Sequence, residues 1–274
     1  MQVSQHVYVM HIDDGAAFHP GGSNNYFVGD PCEGMALIDT GDQQREWTQS
    51  ILRYYEELGR PKITAILLTH SHHDHIGGLD RIYDAMPAPV RCHPKLVQQL
   101  ESMVGKGAVQ ALADQEEVQT GGGVSLRALF TPGHEVDHVS FHLADERILF
   151  TGDCILGASS TTVRDLATYM QSLELLTRYP HDTICPGHGP VVPPPRGAEL
   201  VRWYMDHRHE REQQILSALA KGLATVEEIT RDVYPADLPA GLRRGAEQNV
   251  ATHLAKLVKE GRVAETPARY SVKP

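Results

Sequence analysis

The residue types able to do chemistry are concentrated in one short stretch. An apolar run, Ile63 to Leu68, leads into Thr69-His70-Ser71-His72-His73-Asp74-His75, and two glycines follow. Side chains of an extended chain alternate with a period of two, so His70 and His72 point the same way. Asp74 and His75 come at the turn and can reach a second point nearby. Nitrogen and carboxylate donors in this mixture suit zinc or a similar borderline metal. A polar, His-rich loop would account for one such pair; the full pattern at a strand end points to metal binding.

Three later places offer further ligands. Thr131-Pro132-Gly133-His134 follows the apolar run Val124 to Phe130, Ile148-Leu149-Phe150 leads into Thr151-Gly152-Asp153, and Thr183-Ile184-Cys185 leads into Pro186-Gly187-His188. Each is a strand-to-turn junction presenting one ligand, and such junctions can converge on one edge of a sheet. Other reactive residues read as structural. Cys154, beside Asp153, has no evident base partner and reads as a buried small thiol. His93 reads as a surface residue, His138 as supporting or structural, and His142 as an outward-facing strand residue. His207 and His209 stand at i, i+2 on a helix, where side chains diverge, and make no second site.

Over residues 39–188 these motifs resemble the metallo-β-lactamase superfamily in its binuclear hydrolase branch. The resemblance implies that His70, His72 and His134 hold one metal, that Asp74, His75 and His188 hold the other, and that Asp153 bridges them. It implies two Zn2+ ions, with Mn2+ or Fe2+ as alternatives. The nucleophile would be a hydroxide shared between the ions, with Asp74 accepting a proton as the intermediate collapses. Asp39, in Asp39-Thr40-Gly41, stands where the superfamily carries a supporting Asp. Orienting a ligand histidine and simply closing a turn are both open to it.

The elements that must position these residues alternate between strand and helix. Residues 6–12 and 25–28 read as strands around a loop, Gly15 to Ser23, and residues 35–38 as a buried strand. Trp47, Ile51, Tyr54 or Tyr55, and Leu58 recur at helical spacing on a helix over 43–58. Further helices are expected over 96–103 and 165–179. The Gly/Ser/Thr run after Cys154 reads as a loop over the site, with hydroxyls able to bond an anionic substrate. From residue 196 the pattern changes to helices over 199–219, from a capping box at Thr225–Glu228, and over 242–260, then a small hairpin. The expected fold class is α/β: an αββα sandwich over 1–195, then a mainly helical winged-helix-like domain over 196–274.

Composition narrows the setting. The 274 residues carry a net charge of −10 and are 41% hydrophobic. No run approaches the roughly 20 apolar residues of a membrane span, and no signal peptide is visible at the start. The cysteines, Cys32, Cys92, Cys154 and Cys185, are isolated, which fits a reducing cytoplasm better than a disulfide framework. Residues 201–274 hold 12 Lys/Arg against 10 Asp/Glu, while residues 1–200 hold 13 against 25. Arg243, Arg244, Lys256, Lys259 and Arg262 could form a basic patch, but a solvated charged face is the safer reading of the same residues.

The motifs Gly152-Asp153-Cys154-Ile155-Leu156-Gly157, Pro186-Gly187-His188-Gly189-Pro190 and His207-Arg208-x-x-Arg211-Glu212 resemble the beta-lactamase-like protein 2 group across nearly the whole chain. Its animal members are mitochondrial endoribonucleases for single-stranded RNA; its fungal relatives are polyketide-releasing thioesterases. The expectation from this resemblance is a zinc-dependent hydrolase, first as a single-stranded RNA phosphodiesterase. The alternative is hydrolysis of acyl-CoA, acyl-carrier or S-acylglutathione thioesters, chemistry like that of glyoxalase II. A non-catalytic winged-helix regulator with a relic metal domain is a third reading. The partner is thus a small ester or thioester, or RNA, with no membrane partner; an oligomer is compatible with the sequence.

Overall fold

The computed structural model describes residues 1–13, 21–266 and the backbone of 269–272. Most of the loop expected over Gly15 to Ser23 therefore lies outside the described residues.

Two sheets stack face to face. The first has the strand order β1 (Val7–Ile12), β2 (Ser23–Asp30), β3 (Gly34–Ile38), β4 (Ile63–Leu67), β5 (Val90–Cys92) and β6 (Val109–Ala111). β1 to β3 pair antiparallel, and β3 to β6 run parallel. The second sheet contains β7 (Glu117–Gln119), β8 (Ser125–Phe130), β9 (Val139–Leu143), β10 (Ile148–Gly152) and β11 (Thr183–Pro186), in the order β11-β10-β9-β8-β7. Strands such as Gly34–Ile38 and Ile148–Gly152 are buried at every residue, because both faces of each sheet are covered. Between the sheets pack Val7, Tyr26, Val28, Leu67, Leu126, Phe141 and Phe150.

Helices close both outer faces. The first sheet is covered by α1 (Arg45–Glu57), α3 (Leu79–Ala85) and α4 (Val97–Val104), which bury Ile51, Ile82 and Leu100 against Phe27, Leu37 and Ile66. A single helical turn, α2 (His73–Ile76), lies between β4 and α3. The second sheet is covered by α5 (Leu166–Leu176) and the first half of α6 (Arg196–Ala220) through Tyr169, Leu173, Leu200 and Tyr204. This is the αββα sandwich expected from the sequence.

The second half of α6 belongs to a separate core. Its Ile215 and Leu219 pack with Ile229 of α7 (Val226–Val233), with Val250, Leu254 and Leu257 of α8 (Ala240–Lys259), and with Val263. The capping box is formed: the Glu228 backbone N–H donates to Thr225 Oγ1 at 3.2 Å, and the Thr225 N–H donates to the Glu228 carboxylate at 3.0 Å. A hairpin of β12 (Val263–Thr266) and β13 (Arg269–Val272) completes this helical winged-helix unit.

The chain departs from expectation at His142. Alternation does turn it away from the inter-sheet core, but that face is covered. His142 is buried, its Nε2 lies 2.9 Å from the Pro180 carbonyl oxygen, and its ring meets Tyr179 edge-on.

Candidate metal centre

The four strand ends meet at one edge of the sandwich. β4 delivers His70 and His72, α2 carries Asp74 and His75, the turn after β8 carries His134, and Asp153 and His188 follow β10 and β11. The parallel pairing of β10 with β11 brings Gly152 beside Pro186 and so sets their two turns side by side. Glycine is required there: a Cβ on Gly187 would stand 2.6 Å from Asp153 Oδ1 and 2.8 Å from His75 Cε1.

Two groups of donors result. His70, His72, His134 and Asp153 each offer an atom, all within 4.8 Å of one another, and Asp74, His75 and His188 do the same. Asp153 faces both groups. Its Oδ2 lies 3.6 Å from His134 Nε2 and 3.9 Å from His70 Nε2, while its Oδ1 lies 3.4 Å from both His75 Nε2 and His188 Nε2. All seven residues named from the sequence are therefore together.

The outer nitrogens of the rings decide what faces inward. Asp39, buried and with φ 61°, accepts from His75 Nδ1 at 2.7 Å and from the Thr69 backbone N–H at 2.8 Å. Thr69 Oγ1 donates to Asp39 Oδ2 at 2.8 Å and accepts from His70 Nδ1 at 3.0 Å. His134 Nδ1 donates to the Thr162 carbonyl at 2.7 Å. His72 is turned the other way: Nε2 donates to Glu135 Oε1 at 2.7 Å, leaving Nδ1 3.2 Å from His134 Nε2. His188 Nδ1 lies 2.8 Å from Ser23 Oγ. For His70, His72, His75 and His134 the outer partner fixes the tautomer and aims a lone pair at the centre, the arrangement metal-binding histidines require.

The donors fit divalent metals. His70 Nε2 is buried without a hydrogen-bond partner, and His75 Nε2 faces His188 Nε2 at 3.3 Å. Burial, reinforced by His75, holds His70 well below the usual histidine range, so it is neutral there. Burial would likewise lower His188, but Asp153 and Asp74 push it up to about 9. Burial also opposes a charge on His75, and Asp39, Asp153 and Asp74 outweigh it and raise its pKa. Asp153 is held well below the usual carboxylate range despite its burial, chiefly by His75 and His188. The carboxylates thus draw positive charge to the centre, which either protons or metal ions can supply.

Several supports escaped the sequence. Glu135 adjoins His134, and the habit of ligand histidines to bond a carboxylate was a usable signal; Ser23, Thr69 and the Thr162 carbonyl carried none. His138 supports the turn that carries Asp153: its Nδ1 donates to Thr131 Oγ1 at 2.9 Å, and its Nε2 accepts the Asp153 backbone N–H at 3.1 Å. Of the two readings of Asp39, orientation of a histidine is the one realised. Cys154 is buried, and burial with the nearby Asp153 pushes its thiol up to about 12, so it carries no thiolate at neutral pH. Two hydroxyls of the loop after Cys154 are engaged inward. Thr161 Oγ1 is 3.1 Å from His134 Nδ1, and Ser160 Oγ accepts from Arg208 at 3.0 Å.

Three of the five basic residues, Lys256, Lys259 and Arg262, have carboxylate neighbours within the protein. Lys256 pairs with Glu212 at 2.6 Å and with Glu260 at 2.8 Å, Arg262 also pairs with Glu212, and Lys259 lies 3.6 Å from Asp165. No helix among the described residues is long and apolar enough to cross a membrane.

Residues 19–188 match the family model of the metallo-beta-lactamase superfamily, and residues 225–270 match the beta-lactamase associated winged helix domain. A beta-lactamase-like protein 2 homolog of Caenorhabditis elegans is 36% identical over 247 residues, covering 90% of this chain and 81% of the relative. An atrochrysone carboxyl ACP thioesterase of Aspergillus fumigatus is 34% identical over 238 residues, 79% of this chain and 70% of that protein. The solved structure of a beta-lactamase domain protein from Burkholderia ambifaria superposes with a TM-score of 0.84 at 17% identity, covering 100% of this chain and 93% of that one. The chain belongs to the metallo-β-lactamase superfamily, as a hydrolase carrying the winged-helix domain associated with it.

Proposed function

We propose that the centre holds two zinc ions and hydrolyses thioesters. His70, His72 and His134 would hold one ion, Asp74, His75 and His188 the other, and Asp153 both. The observation that carries the binuclear reading is that the two oxygens of Asp153 face the two groups separately. Ions there would polarise a carbonyl oxygen and lower the pKa of water. Mn2+ and Fe2+ suit the same donors.

The chain's own residues favour a thioester among the substrates open to such a centre. Asp74 is the more open carboxylate, with 15% of its side chain exposed against 8% for Asp153. Burial would raise its pKa, yet His75 and His188 hold it well below the usual carboxylate range. Held ionised, it is seldom protonated and so offers a leaving group little general-acid help. A thiolate, with a conjugate-acid pKa of about 8.5, leaves without such help; the alkoxide leaving group of a phosphodiester is far more basic. The thioesterase named among the relatives supports the same reading. The pairing of Lys256, Lys259 and Arg262 with carboxylates removes much of the support for RNA binding.

We take residues 1–195 as the catalytic unit, completed by the first half of α6, which packs on the second sheet, and the remainder of 196–274 as its winged-helix partner. The free cysteines fit a reducing compartment, the cytoplasm. The test is a panel on zinc-loaded protein: acyl-CoA, acyl-carrier and S-acylglutathione thioesters beside single-stranded RNA at low salt. Thioester turnover at ordinary enzymatic rates, abolished by Asp74→Ala, is expected. RNA cleavage with thioesters untouched would overturn the thioester reading in favour of the phosphodiesterase.

A further inference from the structure

The motif His207-Arg208-x-x-Arg211-Glu212 plays no part in the centre as described so far, yet its Arg208 is only 3% exposed. Among the described residues no carboxylate lies within ion-pair distance of it. Arg208 Nη2 donates instead to the Thr161 carbonyl at 2.7 Å and to Ser160 Oγ at 3.0 Å, and Nη1 donates to Asn249 Oδ1 of α8 at 3.2 Å. The guanidinium lies over the Tyr169 ring at 5.5 Å, and its Nε has no hydrogen-bond partner. Burying an arginine without a counter-ion is costly for stability. What the arrangement holds is a short segment of backbone.

That segment touches the centre. Its Thr162 carbonyl and Thr161 hydroxyl are the partners of His134 Nδ1, at 2.7 and 3.1 Å. The next residues return to the His134 turn, with the Arg164 and Asp165 N–H groups donating to the Gly133 carbonyl at 2.8 and 3.1 Å. On its other side it meets α8 again, through Thr252 Oγ1 to the Val163 carbonyl at 3.4 Å. Residues 160–165 thus run between the winged-helix unit and one histidine of the centre, and Arg208 is the link buried deepest.

We propose that Arg208 is a positioning residue. It holds the Thr161 carbonyl and the Ser160 hydroxyl, and so fixes the segment whose next carbonyl, that of Thr162, orients His134; metal retention by the His70–His72–His134 group then depends on the winged-helix domain. The inference rests on the metal reading above and extends it to a residue that touches neither metal nor substrate.

The test compares zinc release to a chelator, with metal counted per chain, for the intact wild type, Arg208→Met, Arg208→Lys and Arg211→Met. Arg211 is the control: it holds the Val233 carbonyl and lies over the Tyr234 ring at 4.0 Å, inside the same domain. Arg208→Met should release one of the two ions about tenfold faster, the scale for losing a group that orients a ligand, while the other ion stays. Arg208→Lys, which keeps one donor, should be intermediate, and it decides the matter if the methionine variant does not fold. Arg211→Met should release zinc like wild type. Wild-type release from both Arg208 variants would overturn the inference, as would equal acceleration in Arg211→Met. A wild type that takes up no metal refutes the metal reading and this inference with it.

Discussion

Asp39→Asn separates the outer hydrogen bonds of the centre from everything else. Asparagine tolerates the left-handed backbone at φ 61° as well as aspartate does, so the substitution adds no strain of its own. It does replace one acceptor oxygen by a donor NH2. The carboxylate now accepts from the Thr69 backbone N–H, from Thr69 Oγ1 and from His75 Nδ1, at 2.7 to 2.8 Å. If the amide oxygen stays on Thr69, the NH2 opposes the Nδ1–H of His75. The imidazole can escape only by moving its proton to Nε2, which removes the lone pair aimed at the centre. A buried donor left opposed costs about 1–3 kcal/mol, and loss of such a partner typically costs 10–100-fold in metal affinity. Chelator competition on the folded variant should therefore show zinc affinity reduced by that factor, with the His75 side losing its ion first. Wild-type affinity in a folded Asp39→Asn protein would refute the tautomer argument.

Three further outcomes follow from the same geometry. Because Asp153 and Asp74 push His188 up to about 9, a proton competes with metal there well above the usual histidine range, so zinc affinity should keep climbing from pH 6 towards 9; a plateau by pH 7.5 in a competition titration would contradict this. Burial holds His253 of α8 down to about 4 from 6.5, so the unfolded chain binds the extra proton between those values and stability is lost on acidification through that window. Chemical denaturation at pH 7 and 4.5 should show about 2–3 kcal/mol less pH-linked loss in His253→Gln than in wild type. Cys154→Ala should keep most activity at saturating substrate, since its thiol is pushed up to about 12; a loss as complete as that of Asp74→Ala would call for a thiolate mechanism.

The legible part of the site was the part encoded locally. His70, His72, Asp74 and His75 announce themselves within one strand end, and His134, Asp153 and His188 each close an apolar run, so period and turn chemistry were enough to find them. The groups that aim them were not legible, because they meet across long stretches of chain. Ser23 reaches His188, Thr162 reaches His134, and Arg208 reaches Thr161 only after the sandwich has closed. At His142 alternation says which face the side chain takes but not that Pro180 and Tyr179, from a later segment, cover it. The partners of the basic residues were legible only in part: Glu260 stands one helical turn from Lys256, but Glu212 on α6 and Asp165 before α5 are far away in sequence.

The claim on which the rest depends is that Asp153 joins two metal positions. Elemental analysis of carefully loaded, desalted protein tests it most directly, in wild type and in Asp153→Ala. The geometry predicts two zinc ions per chain in the wild type and a clear fall in the variant, with far-ultraviolet circular dichroism unchanged. A single ion per chain, unaltered by Asp153→Ala, would contradict it.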